Sequence, residues 1–387
     1  MSESKPLKIA ITCHPSQGGS GVLATELGKE MARRGHEIHF ITSRMPYRLR
    51  LGCEPGIFFH EVQALHYPVF EHTPYTLALA ARMSEVYRHH RLDLFHVHYA
   101  IPHAAAAILA RQMLEPCRSP IVTTLHGTDV TLVGQDPSYR SMVRFCLEKS
   151  DAVTAVSDWL KDVTVKAFQP TREIRRIHNF ADPDLFRPGE TSISRSSLAQ
   201  ADQPIFLHVS NFRPVKRIPD VIRTFARCVE LGVNGILVLA GEGPQLSIGL
   251  ELASELGVLE RVRPMGLVDD IPALLPLADI FLFPSDGESF GLAPLESLLC
   301  EVPVVGAVAG GLPEVVDDGH TGFLSPVGDT EAMAQACLAL LEPGRKIAMG
   351  KEGRRRSVAR FTPAAIVPQY EELYRELIAR RGPCPER

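Results

Sequence analysis

Two doubly wound α/β domains are the fold this sequence predicts, and three observations carry the reading. Short β-rich runs alternate with helical patterns along the chain, the signature of βαβ units and parallel sheets. One stretch breaks that alternation: "ADPDLFRPGETSISRSSLAQADQ" (181–203) is rich in Pro, Ser, Asp and Gly, and reads as an interdomain connection. The length of 387 residues suits two domains of roughly 150 to 200 residues each better than one. We therefore expect a first domain over 1–185 and a second over 186–363, with a C-terminal helix over 364–387 packing back on the first.

In the first domain the strands are expected at 7–13, 37–42, 57–62, 93–98, 120–125 and 151–156. Helical patterns fill 20–34, 75–90, 103–114 and 138–149 between them. Gly35 in "GHEIHFIT" ends the first helix so that a strand can restart. The second series begins with "PIFLHVS" (204–210) and continues through "GILVLAG", "RVRPMG", "DIFLFPS" and "VPVVGA". The last helix, in "TPAAIVPQYEELYRELIARR", is amphipathic and sets Tyr370 and Tyr374 one turn apart. Ligands of such sheets bind beyond the carboxyl ends of the strands, so two domains facing across a cleft would share one.

Composition narrows the function classes. A net charge of −4, from 41 Lys and Arg against 45 Asp and Glu, gives no reason to expect nucleic acid or an anionic membrane as partner. The eight cysteines (13, 53, 117, 146, 228, 300, 337, 384) include no C-x-x-C pair and read as free thiols, several of them buried. The N-terminus has no apolar leader before its first strand, and no run approaches the ~18 apolar residues of a membrane span. A cytoplasmic location is expected.

The candidate chemistry lies at strand ends. "TCHPSQGGSGVLATELG" (12–28) follows the first strand and holds Gly18, Gly19 and Gly21, with neither a Walker lysine nor G-x-G-x-x-G spacing. Glycine lets backbone approach a ligand closely, and the free N–H groups of 18–21 at a helix start suit an anion; an ordinary tight turn is the alternative. In "VSNFRPVKR" (209–217), Arg213 and Lys216 stand beside a strand terminus, where both could clamp phosphate oxygens. "PSDGESFGLAPLESLLC" places Glu288 before a helix opened by Gly291 and Glu296 inside its apolar sequence. A carboxylate so enclosed needs donors, and ribose hydroxyls would supply them. "TTLHGTDV" sets His126 and Asp129 just past a strand, and "FHVHYAIPH" holds His96, His98 and His103. A metal site on these histidines lacks a completing Cys or carboxylate. No HExxH, G-x-S-x-G or P-loop signature occurs.

Taken together, the glycine loop, "HGTD", "NFRPVKR" and the E-x7-E element "ESFGLAPLE" resemble retaining glycosyltransferases of the GT-B fold, family 4, over nearly the whole chain. The stretches "HVHYAIPHA", "IVTTLHGTDVTLVGQDPS" and "HVSNFRPVKRIPDVIRTF" are similar to the malate-accepting members of that family. The resemblance implies retaining transfer of N-acetylglucosamine from UDP-GlcNAc to the hydroxyl of L-malate, releasing UDP, as the first step of bacillithiol biosynthesis. It implies no metal and no cofactor beyond the donor, and a homo-oligomer.

Carried over by residue, the resemblance gives Arg213, Lys216, His126 and Glu288 the catalytic roles. Arg213 and Lys216 would hold diphosphate, which Gly18 and Gly19 also approach. Glu296 would bind ribose, and Glu288 with the backbone of Phe290 and Gly291 the sugar hydroxyls. His126 would touch the sugar near its reacting carbon. Ser20, Tyr99, Thr124, Arg144 and Asn211 would receive the acceptor. The departing diphosphate, rather than a protein carboxylate, would deprotonate the acceptor on the same face. Ala293-Pro294 departs from the aliphatic residue usual in the family, and a proline fits the first helical turn. Rival readings are a transferase to an inositol phosphate, a UDP-GlcNAc 2-epimerase, and a metal hydrolase built on His96, His98, His103 and His126.

Overall fold

Why each half should form its own sheet is visible in the strands themselves, which are short, apolar and buried. The computed structural model describes residues 5–16, 18–49, 54–64, 72–117, 119–381. Cys53, Cys384 and residues 382–387 of the expected terminal helix lie outside the described residues. The chain divides into two compact units, Met1–His178 with Pro363–Arg387, and Asn179–Thr362.

The first unit carries a seven-stranded sheet: β1 (Lys8–Thr12), β2 (Glu37–Thr42), β3 (Ile57–Glu61), β4 (Leu94–His98), β5 (Ile121–Leu125), β6 (Ala152–Ala155) and β7 (Ile174–Arg176). Its order is β3-β2-β1-β4-β5-β6-β7, and every pairing is parallel. The second unit has six parallel strands, β8 (Ile205–Val209), β9 (Ile236–Ala240), β10 (Val262–Gly266), β11 (Ile280–Phe283), β12 (Val304–Ala307) and β13 (Gly322–Ser325). They run in the order β10-β9-β8-β11-β12-β13. Both units are therefore Rossmann-like, with the direction of winding reversing between β1 and β4 and between β8 and β11. Those two points are where a parallel sheet opens a crevice beyond its strand ends.

The core of the second unit follows from helix Ile218–Glu230, which buries Ile218, Val221, Ile222 and Phe225 at helical spacing against Phe206, Leu237 and Leu239 of the sheet. In the first unit, helix Pro363–Arg381 buries Ile366, Val367, Tyr370, Leu373, Tyr374 and Leu377. The Tyr374 hydroxyl and His96 Nδ1 are hydrogen-bonded at 2.6 Å; His96 Nε2 bonds Thr124 Oγ1 at 2.7 Å, and Thr124 bonds Thr154 Oγ1 at 2.7 Å. A polar file thus crosses β4, β5 and β6, and the last helix of the chain closes it.

The stretch expected as a connection behaves differently. Residues 179–203 belong to the second unit, and the boundary falls at 178/179 where the sequence points to 185/186. Phe186 is fully buried, Arg354 donates to the carbonyls of Phe186 (3.0 Å) and Pro183 (3.1 Å), and Arg195 pairs with Asp279 at 2.6 Å. Proline- and serine-rich sequence is fixed here by arginines that satisfy its backbone carbonyls. Among the described residues, six cysteines are free, five of them buried, and no helix is long and apolar enough to cross a membrane.

Candidate functional site

In the first unit the candidate residues converge on the reversal between β1 and β4. Helix Gly19–Arg33 starts directly after the loop that leaves β1, with Gly18 as its cap residue and no side-chain cap. Gly18 accepts from the N–H groups of Gly21 and Val22, at 3.0 and 3.1 Å. Gly21 is the glycine the loop cannot replace: a Cβ there would lie 2.5 Å from the His14 carbonyl oxygen and 2.7 Å from that of Ser16. The loop can therefore fold tightly over the helix start, where the first N–H groups carry partial positive charge.

Across the reversal, Tyr99 follows β4 with φ +83°, an unusual backbone for a tyrosine. Its hydroxyl donates to Ser20 Oγ at 3.1 Å, so two residues singled out from sequences 79 positions apart are joined in the fold. Next to them lies a group of imidazoles. His98 Nδ1 and His126 Nε2 are 2.8 Å apart, and the His126 ring is 5.3 Å from Tyr99. His14 sits 4.5 Å from His103 and 5.1 Å from Tyr99, centroid to centroid.

Asp129 organises the "HGTD" turn. Its Oδ1 accepts from the backbone N–H of His126 and Gly127, and its Oδ2 from that of Ala100 at 3.1 Å. Burial raises the Asp129 carboxyl to about 6 despite these donors. Burial, with His14 nearby, lowers His126 to about 3, so its ring is neutral at neutral pH and acts as a hydrogen-bonding group rather than a cation. His98 is lowered too, by burial and by its histidine neighbours.

One expectation for this unit needs correction. Thr124 does not face a ligand: it is fully buried and its hydroxyl is engaged by His96 and Thr154 inside the polar file. Its contribution is to hold β5, whose Thr124 carbonyl accepts from the Tyr99 N–H at 2.9 Å. The rival reading, a four-histidine metal centre, meets an obstacle at His96, whose two ring nitrogens are engaged by Tyr374 and Thr124. His103 spends its Nδ1–H on the His98 carbonyl. Arg144 is exposed on helix Pro137–Lys149, where its charge acts on Glu148 one turn away.

In the second unit the site forms at the reversal between β8 and β11. Phe212 is fully buried with φ +40°, and the turn Pro214–Lys216 brings Lys216 beside the loop that leaves β11. Lys216 Nζ pairs with Glu288 and stands 5.2 Å from the Phe283 ring centroid. The Asp286 N–H donates to the Val215 carbonyl at 3.0 Å, tying the two loops together. Arg213 and Asn211 are exposed on the same loop. Gly291 caps helix Leu292–Leu299 with φ +103°, a conformation that needs glycine. Phe290 is fully buried and packs edge-on against Phe361 at 5.4 Å, so only its backbone is left for a ligand. Glu296 is half-buried within the helix, close enough to raise the Cys300 thiol, which burial chiefly pushes up to about 12.

Comparison with known proteins gives this arrangement its context. Residues 17–185 match the model for "Glycosyltransferase Family 4" and residues 190–356 that for "Glycosyl transferases group 1". The chain is 45% identical over 374 residues to the N-acetyl-alpha-D-glucosaminyl L-malate synthase of Bacillus anthracis, covering 96% of this chain and 97% of that protein. It belongs to the family 4 glycosyltransferases of the GT-B fold. A D-inositol 3-phosphate glycosyltransferase of Saccharomonospora viridis is 28% identical, with 94% and 90% of the two chains covered. Among solved structures, sucrose-phosphate synthase from Thermosynechococcus elongatus superposes with a TM-score of 0.80 at 25% identity over 97% of this chain and all of that one. HepE of Anabaena, solved with UDP and glucose, matches at TM-score 0.80 and 21% identity over 95% and 99% of the chains, a likeness of fold.

Several supports of the glycosyltransferase site were not singled out in the sequence. Gly310 has φ +61°, and a Cβ there would fall 1.9 Å from the Glu288 carbonyl oxygen; the Gly311 N–H donates to that same oxygen at 2.7 Å. Gly241 and Gly243 likewise pass against the backbone of Ser210 and Asn211. The pairs "AGG" and "GEG" just after strands were the available signal. Chemically, the second unit offers cations and helix-start N–H groups for an anionic leaving group, with Glu288 able to accept from hydroxyls.

Proposed function

We propose that this glycosyltransferase moves N-acetylglucosamine from UDP-GlcNAc to the hydroxyl of L-malate with retention and without a metal in the transfer, the first step of bacillithiol biosynthesis. The observation that carries the reading is 45% identity to a malate synthase, end to end. In this reading the bond between the sugar C1 and the diphosphate oxygen breaks as the malate oxygen attacks the same face. The departing diphosphate accepts the malate proton.

Lys216 and Arg213 stabilise the charge that develops on the diphosphate, and Gly18 and Gly19 approach it from the helix start. Lys216 is already oriented by its pairing with Glu288, which limits the reorganisation left for the reaction. Glu288 and the backbone of Phe290 and Gly291 hold the sugar hydroxyls, and Glu296 the ribose. Neutral His126, whose Nε2 faces His98, contacts the sugar through its other nitrogen. Ser20, Tyr99, Arg144 and Asn211 supply donors to the two malate carboxylates, with Thr124 acting from behind through the strand.

UDP release from UDP-GlcNAc, measured with L-malate, D-malate, an inositol phosphate or no acceptor, with and without EDTA, tests the reading. Release that requires L-malate and ignores EDTA, with an α-linked product by NMR, is expected. Release with an inositol phosphate instead would move the enzyme to the acceptor class of its 28% identical relative. Absence of UDP release with every acceptor would favour the epimerase or hydrolase alternatives.

A further inference from the structure

We propose that His39, His60 and His90 form a binding site for a divalent transition ion of the zinc class on the outer strands of the first sheet. One ring nitrogen from each histidine lies within 4.8 Å of the others. They come from three elements: His39 from β2, His60 from the edge strand β3, and His90 from the last residue of helix Tyr75–His90. His39 is fully buried, whereas His60 and His90 are half-buried and leave a route to solvent. In the strand order β1 separates these residues from β4, so the cluster stands apart from the Tyr99 and His126 group.

A second observation points to a ligand. His39 Nε2 is 2.8 Å from the Glu37 carboxylate, which in turn pairs with Lys8 at 3.3 Å. A carboxylate that takes the Nε2 proton fixes the His39 tautomer and leaves the Nδ1 lone pair aimed into the cluster. That is how outer carboxylates orient metal-bound histidines. His39 Nδ1 is 2.9 Å from His60 Nε2. Two nitrogens on one tetrahedral zinc stand about 3.3 Å apart, so these would part by only a few tenths of an ångström. His60 must then carry its proton on Nδ1 instead of Nε2.

The surroundings fit a cation. Phe58 stacks on His39 at 5.0 Å and forms an apolar wall 6.1 Å from His90. The carboxyl end of helix Tyr75–His90 brings partial negative charge to the site. Among charged neighbours, Arg82 and Glu85 pair with each other at 2.7 Å on that helix. Three imidazoles and a water suit zinc, and its spectroscopic substitute cobalt, better than magnesium or calcium.

The test uses the untagged full chain, freed of metal and titrated with Zn2+ against a chromophoric competitor. One tightly bound ion per chain is expected, with a tetrahedral visible spectrum when Co2+ replaces it. His90→Gln and His60→Gln should abolish that binding while circular dichroism shows both folded. Glu37→Gln should keep the stoichiometry and weaken affinity by roughly 10–100-fold. UDP release by His90→Gln should match the unmodified chain, which separates this site from the transfer reaction. Absence of tight Zn2+ binding, or binding unchanged in folded His90→Gln, would overturn the proposal and leave the three rings as a hydrogen-bonded packing cluster.

Discussion

Lys216 is the residue on which most is asked at the smallest scale. Its ammonium sits between Glu288 and the Phe283 ring, so truncation removes a donor and also leaves a carboxylate without its counter-ion. Lys216→Ala should lower kcat about 10²–10³-fold, as removal of one donor to a developing oxyanion does elsewhere. Steady-state kinetics checks it, and a rate within a few-fold of the parent would remove Lys216 from the site. Glu296→Ala should act on binding rather than turnover, weakening UDP roughly 10–100-fold through loss of charge-assisted hydrogen bonds. Calorimetry of UDP reads that directly. The residues legible from sequence were those with charge at strand ends: Lys216 and Glu288 were singled out apart and the fold joins them. Thr124 was misread because a polar side chain in a strand gives no sign of which neighbours already satisfy it; His96 and Thr154 lie 28 and 30 residues away.

At the scale of elements, what the site needs is loops that pass very close to one another. Gly310 is the sharpest case, since its positive φ and the 1.9 Å clash of any Cβ both act against substitution. Gly310→Ala should displace the Glu288 loop, reducing turnover and lowering the thermal midpoint together; thermal unfolding beside the UDP-release assay checks both. Helix Pro363–Arg381 is the second case. Tyr374→Phe leaves His96 Nδ1 buried without its hydrogen-bond partner, at a cost of about 1–3 kcal/mol in denaturant unfolding. The helix was readable from its periodicity, and Tyr370 and Tyr374 were marked as a pair, but its hydroxyl partner on β4 was not. Periodicity says which face is buried and nothing about which buried polar atom waits there. Strand β7 escaped the sequence reading because it is three residues long and two of them are arginine; β13 escaped it as well, although β12 is equally short and also holds a glycine.

For the molecule as a whole, buried imidazoles set the response to acid. Burial, with neighbouring histidines, lowers His60 to about 4 and His96, His103 and His126 to about 3, and burial with nearby Lys216 lowers His208 to about 4, all below the ordinary 6.5. A group whose folded pKa is depressed contributes stability above its unfolded pKa and loses it as pH falls toward the folded value. Asp129, raised to about 6 by burial, works in the opposite sense between about 6 and 3.8, and it is one group against several. The thermal midpoint should therefore fall steadily as pH is lowered from about 6.5 to 4. A flat profile over that window would mean the histidines titrate normally in the folded chain. The two-unit plan was legible in the alternation of strands and helices; the strand order, and with it both reversal points, comes from the fold. The exact join was not legible, because Arg354, and Asp279 through its pairing with Arg195, hold residues 179–203 to the second unit from positions far along the chain.

The discontinuity of the first unit also has a consequence for synthesis. Its sheet is complete after residue 178, yet the helix that covers His96, Thr124 and Thr154 is translated only after the entire second unit. A nascent chain therefore emerges with that polar face bare for the time needed to make some two hundred further residues. The second unit, continuous in sequence, is free to fold first, and the first matures last. Arrest peptides placed after residue 362 and after residue 387 would report this order as a late gain in protease resistance of the N-terminal half.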